Sequence, residues 1–186
     1  SGIEIVVIEP VQQVFGHELL QSPLISSPKA EYFAPGTVFI VCPEQAEFNS
    51  LLELNSFFIQ HRYAYILSYF VGDQIAVGPS VLPGLTSCFS CYLEHRRAKL
   101  EQEMGSHFSW HALKKLIGAW PLPDSPQWAT SASWAAELLV AEVKRLSMGG
   151  ENPKLTDCQT LFSQPSSSAH SSIHFSPISS CPSCRA

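Results

Sequence analysis

Short β-branched runs alternate with stretches of helical spacing along the chain, and each change of period marks an element. The run from Ile3 to Ile8, ending at Glu9-Pro10, suits a strand buried on both faces. Pro23, Pro28 and several serines break any period between Val11 and Lys29, which reads as a connector with one short helix. Thr37 to Val41 follows the Pro35-Gly36 turn, closes at Cys42-Pro43 and again resembles a central parallel strand. Phe48, Leu51, Leu52, Asn55, Phe58 and Ile59 then recur at helical spacing. Tyr63 to Val71 reads as a third strand. Gly72-Asp73 turns the chain into a fourth, Gln74 to Val77, that stops before Gly78-Pro79. A helix between two such strands implies a right-handed parallel crossover, so the first half looks like part of a Rossmann-type sheet.

The second half is more helical. A helix is expected from about Tyr92 to Gln102, with Glu94, Arg97, Lys99 and Glu101 keeping one side wet, and another near Trp110 to Ile117. Pro121, Pro123 and Pro126 make Trp120 to Gln127 an extended loop. From Ser131 to Leu146 a stripe of Trp134, Leu138, Leu139, Ala141, Val143 and Leu146 defines a long helix. Caps are offered by Thr130 to Ser133, Lys144 and Arg145 suit its C-terminus, and Gly149-Gly150 ends it. Residues 151–174 turn rich in Ser, Pro, Asn and Gln, a flexible region between short strands around Leu161 and Ile173.

Composition narrows the class. A chain of 186 residues with 45% hydrophobic and 15% charged residues carries enough apolar material for one globular domain. Its formal net charge of −5 and scattered basic residues exclude a nucleic-acid footprint. No apolar stretch is long enough to span a bilayer, and no basic region precedes an apolar one at the start. Six cysteines, four of them in two Cys-x-x-Cys pairs, fit a reducing compartment, and the cytoplasm is the expected location.

Those pairs carry the chemistry. Zinc takes four ligands at tetrahedral corners, and the tight turns at Cys88/Cys91 and Cys181/Cys184 each aim two thiolates at one point. Pro83-Gly84 before the first pair and Pro182 inside the second supply the turn-forming surroundings. The pairs lie far apart in sequence, so the expected site is a structural staple fastening the C-terminal tail to the middle of the chain. Two disulfides fit a reducing compartment poorly, and thioredoxin-like redox chemistry uses a single pair at a helix N-terminus. Four thiolates leave no open position for catalysis. Cys42 and Cys158 read as small buried hydrophobes.

Catalytic signatures are absent. Neither a Gly-x-Gly-x-x-Gly nor a Gly-x-x-x-x-Gly-Lys-Ser/Thr phosphate cradle occurs. His107 and His111 stand four apart without a third ligand and read as a helix surface, and Glu9 lacks the glycine loop that would make it a ribose-binding acid. No catalytic residue is assigned.

Val77-Gly78-Pro79 through Leu82-Pro83-Gly84, then Thr86-Ser87-Cys88-Phe89-Ser90-Cys91 with Arg96-Arg97, and finally Cys181-Pro182-Ser183-Cys184, resembles the E1-like (ThiF-like) proteins. Within them it looks like the partners of YcaO-type cyclodehydratases, which make thiazolines and oxazolines in ribosomally synthesised peptides. The resemblance implies an α/β fold with a partial Rossmann-like sheet, flanking helices and a structural zinc site of four cysteines. It also implies a homodimer that docks a YcaO partner and the leader of a precursor peptide, with ATP used by the partner. The chain starts at what should be the second strand of that fold. The first strand, the glycine turn and the leader-binding domain are then missing, as in a fragment or a truncated member forming one domain over residues 1–186. The expected function is therefore a non-catalytic scaffold domain of an azoline-forming complex. The alternatives are a ThiF-type adenylating enzyme and a zinc-dependent interaction module of another kind.

Overall fold

The computed structural model describes residues 3–8, 38–43, 48–71, 74–105, 126–147, 159–163 and 170–184. The expected connector at Val11–Lys29, the helix near Trp110–Ile117 and the Gly149-Gly150 stop lie outside them.

Among the described residues six strands form one mixed sheet in chain order: β1 (Ile3–Ile8), β2 (Val38–Pro43), β3 (Ala64–Val71), β4 (Gln74–Val81), β5 (Gln159–Ser163) and β6 (His170–His174). Helix α1 (Phe48–Gln60) links β2 to β3, and that pair runs parallel, as a strand-helix-strand unit demands. Every other neighbouring pair is antiparallel. The first strand departs from expectation, because β1 stands at one end of the strand order and pairs antiparallel with β2. A β-branched run dictates extended backbone but is silent on direction, which is decided by the partner it meets.

Side-chain alternation gives the sheet two apolar faces. Phe39 and Val41 of β2 and Tyr65, Leu67 and Tyr69 of β3 point to α1 and α2 (Phe89–Met104), where they meet Leu51, Leu54, Phe58, Phe89 and Leu93. Aromatic rings fill this side, with Phe58 at centroid distances of 4.8 Å from Phe39 and 4.9 Å from Tyr65. Ile40, Ile66, Ile75 and Val77 point to the opposite side, onto Ala135, Leu139 and Val143 of α3 (Pro126–Ser147). Trp134, Leu138 and Leu146 flank that stripe half-buried, as their spacing predicts.

The fourth strand runs through Gly78-Pro79 to Val81 instead of stopping before them. A register shift accommodates the pair: Ser68 opposes Val77, but Ile66 opposes Ser80, so Leu67 of β3 faces two residues of β4. Gly78 has φ 101°, a conformation open to glycine, and β5 pairs only with Ile75 to Val77, so the missing N–H of Pro79 breaks none of those bonds. The bulge also reverses the alternation. Ser80 faces α3 and Val81 faces α1 and α2, the opposite of what an unbroken strand would give.

Two helix starts differ from sequence expectation, and one helix end has a cap for which no expectation was set. Helix α1 closes with Arg62 at φ 57°, its neighbours bonding back as Arg62 N–H to Ile59 O and Tyr63 N–H to Phe58 O, a left-handed cap made without glycine. Helix α2 begins at Phe89, inside the first cysteine pair, three residues before the expected start. Helix α3 begins at Pro126, so residues 126 and 127 leave the expected loop and Thr130 to Ser133 lie within the helix instead of capping it. Proline is well suited to a first helical position because its missing N–H has no partner there. Among the described residues no helix is long and apolar enough to cross a membrane.

Candidate metal centre

The first cysteine pair straddles the start of α2. Cys88 is the N-cap residue, with extended φ −88° and ψ 174°, and Cys91 stands in the first turn. The thiol of Cys88 does not cap the helix. That role falls to Asn55 of α1, whose Oδ1 accepts the Phe89 N–H at 3.0 Å. The same oxygen accepts the Tyr65 hydroxyl at 2.6 Å, and Asn55 Nδ2 donates to Ser90 Oγ at 3.1 Å. A polar residue on an apolar helical stripe thus proves to be buried and hydrogen-bonded.

The second pair reaches the first because the segment after β6 lies along α2. Phe175 is buried against Tyr92, with ring centroids 5.2 Å apart, and His95 Nε2 lies 2.9 Å from the Ser176 carbonyl oxygen. Two residues on, the Ile178 amide donates to Cys91 Sγ at 3.4 Å, and Cys181 N–H closes a turn onto Ile178 O at 2.9 Å. Ser183 Oγ lies 3.3 Å from Ser90 Oγ, so the serines inside the two pairs meet.

These contacts gather four sulfurs. Cys88 lies 3.9 Å from Cys91 and 3.6 Å from Cys181, Cys91 lies 3.5 Å from Cys184, and all four fall within 4.8 Å of one another. Four ligands held about 2.3 Å from one tetrahedral ion stand about 3.8 Å apart, so the spacing suits a single metal. It is far from the S–S bond of about 2.05 Å in a disulfide, and all four are free cysteines. The first pair does sit at a helix N-terminus, as in thioredoxin-like chemistry, but two further sulfurs crowd it. With all four engaged, no coordination position remains for substrate or water.

The electrostatics favour a cation. Burial pushes the Cys91 thiol up to about 11, only partly offset by the Ile178 amide. Burial also pushes Cys184 up, reinforced by Cys88. At Cys181 burial acts upward too, but hydrogen bonds from the Cys184 amide and the neighbouring thiols outweigh it, and this thiol falls below its ordinary value. Without a cation the group cannot carry four negative charges at neutral pH. A divalent ion removes that conflict by displacing the protons. Tyr65 is pushed well above the phenol range by burial and then by Cys88, so its hydroxyl stays protonated and donates to Asn55.

Beside the sulfurs lies a cavity of about 400 Å³, bordered by Leu52, Ser90, Leu93, Ile178, Cys181 and Pro182. Cys42 is half-buried on the α3 side of the sheet, away from the four. Cys158, Glu9, His107 and His111 lie outside the described residues. Among the described residues no other group of three or more metal-ligating side chains converges. A second buried polar group was not foreseen: Glu142 of α3, 0% exposed, accepts the Ser80 hydroxyl at 3.1 Å and pairs with Arg145 at 3.3 Å. The available signal was an acidic residue beside the apolar stripe of α3.

No protein-family model and no curated protein matches the chain. Solved structures do. Escherichia coli MccB aligns over 86% of this chain and 43% of its own, with a TM-score of 0.58 and 18% identity. MccB described as a microcin C7 biosynthetic enzyme, in complex with N-formylated MccA, aligns over 81% and 42% with a TM-score of 0.57 and 19% identity. A heterocyclase in complex with substrate and cofactor aligns over 88% of this chain and 21% of its own, with a TM-score of 0.57 and 20% identity. At these identities the likeness is one of fold. The chain spans less than half the length of either neighbour.

Proposed function

We propose that this chain is an E1-like (ThiF-like) domain with a partial Rossmann-like sheet, stapled by one structural zinc ion, and that it serves as a non-catalytic scaffold in an azoline-forming peptide-modification complex. The convergence of Cys88, Cys91, Cys181 and Cys184 in a fold like those of MccB and a heterocyclase carries the reading. Bound there, zinc would neutralise the thiolates and cross-link the tail to the start of α2. The chain's own part is to hold the ligands: α1 caps the first pair through Asn55, and the Phe175 and Ile178 contacts deliver the second. In this reading the domain works in the cytoplasm as a homodimer that docks a YcaO-type cyclodehydratase and the leader of a precursor peptide, while the partner uses ATP.

Two measurements test it. Metal analysis of purified protein should find one zinc per chain. Co-purification with a YcaO partner, and loss of water from a precursor peptide followed by mass spectrometry, should both depend on this chain. Unchanged dehydration without it would refute the scaffold role.

One observation favours a second reading. MccB has been solved with ATP, and that structure aligns over 81% of this chain with a TM-score of 0.56. A ThiF-type adenylating enzyme would catalyse ATP–pyrophosphate exchange with a carboxylate substrate. Exchange by this chain alone would replace the scaffold reading, and its absence would support it. A zinc-dependent interaction module of another kind would bind the metal and ignore the YcaO partner.

A further inference from the structure

We propose that Asn55 is a positioning residue for the metal centre, and that the hydrogen-bonded line from Asn55 through Ser90 to Ser183 locks the two cysteine pairs into one ligand frame. The inference rests on the metal reading above and concerns what sets the strength of that site.

The orientation of the Asn55 amide is forced. The Phe89 N–H can only donate, so the atom facing it at 3.0 Å must be Oδ1. Tyr65, kept protonated by burial, donates its hydroxyl to the same oxygen at 2.6 Å and fills its second lone pair. Nδ2 is thereby turned toward Ser90 Oγ at 3.1 Å. Ser90 accepts that hydrogen and meets Ser183 Oγ 3.3 Å away, where either hydroxyl can donate. Asn55 is 1% exposed, so water does not compete for the two bonds to its Oδ1.

The location of each partner gives the line its consequence. Phe89 and Ser90 are the two residues between Cys88 and Cys91, and Ser183 lies between Cys181 and Cys184. One side chain of α1 therefore sets the backbone of the first pair, and through Ser90 the distance to the second. Groups that orient metal ligands from outside the coordination sphere typically govern affinity by about 10- to 100-fold. Asn55, Ser90 and Ser183 occupy that position without supplying a ligand.

The test uses the full chain, with zinc affinity measured by competition against a chromophoric chelator and ligand geometry by the visible absorption of the cobalt(II)-loaded protein. Ser90→Ala, Ser183→Ala and Asn55→Asp are each expected to weaken zinc binding by about 10- to 100-fold and to alter the cobalt bands. The double variant Ser90→Ala/Ser183→Ala should lose no more than the worse single one, because both cut the same link. Ser183→Thr, which keeps the hydroxyl, should restore wild-type affinity. Ser183 is only half-buried, so its variants decide the matter even where Asn55→Asp fails to fold. Wild-type affinity and cobalt spectrum in Ser183→Ala would overturn the proposal while leaving the metal reading intact, even with a lowered melting temperature. Failure of the wild-type chain to bind zinc would overturn both.

Discussion

Cys88 and Cys181 are 93 positions apart in the chain, yet their sulfurs lie 3.6 Å from each other at the N-terminus of α2. A link between them closes half the polypeptide into a loop. For a covalent bond the lost chain entropy would be worth on the order of 4 kcal/mol, and a metal shared by the same residues acts in the same direction.

Cys91→Ser and Cys181→Ser should therefore each abolish metal binding and lower the melting temperature. Cys42→Ser, on the α3 side of the sheet, should keep full metal content. Elemental analysis beside thermal unfolding checks all three, and equal metal content would contradict the assignment.

The metal-bound and metal-free forms should respond to pH in opposite senses. In the metal-free chain the Cys91 thiol is raised to about 11 from an ordinary 9.0, so it binds its proton more tightly folded than unfolded. Its contribution to stability is complete below about pH 9 and disappears as the pH climbs toward 11. Metal binding instead expels thiol protons, so affinity should fall as the solution is acidified, by up to about tenfold per pH unit for each proton displaced. Unfolding of the chelator-treated protein from pH 7 to 11, and zinc titrations from pH 5 to 8, measure the two slopes.

Glu142 and Ser80 tie α3 to the sheet, and the carboxylate is fully buried. Glu142→Ala leaves the Ser80 hydroxyl and Arg145 without this partner. It should destabilise the protein by about 3 kcal/mol, the low end for breaking a buried ion pair, because Arg145 is 34% exposed and can regain water. Glu142→Gln keeps an acceptor for Ser80 and should cost about 1 kcal/mol less. Denaturant unfolding ranks the two, and equal losses would show that the bond to Ser80 contributes nothing.

Gly78→Ala places a side chain at φ 101° and should destabilise by about 1–3 kcal/mol. The bulge it supports turns Ser80 toward Glu142, so combining Gly78→Ala with Ser80→Ala should cost less than the sum of the two. A double-mutant cycle by denaturant unfolding reads that coupling.

Much of the framework was legible in the order of residues. Apolar period marks β2, α1, β3 and the buried stripe of α3, because burial of one face imposes that period on any sequence that adopts the element. Two Cys-x-x-Cys pairs single out the four thiols that converge. Boundaries were less legible where a partner distant in sequence supplies what the local residues lack. Helix α2 starts three residues early because Asn55, on another helix, satisfies Phe89 N–H. Strand β4 continues through Gly78-Pro79 because a bulge opposite Leu67 absorbs them.

By itself, then, the sequence determined β2, α1, β3, the apolar stripe of α3 and which six thiols the chain owns. Only the tertiary structure decided that β1 runs antiparallel at the end of the sheet, that four of those thiols meet while Cys42 faces the other side, and that Asn55 and Ser183 are hydrogen-bonded to residues inside the first pair. The reason is one of range. Period and turn chemistry act over a few residues, whereas strand direction, sulfur convergence and buried hydrogen bonds depend on packing between segments that the sequence keeps far apart.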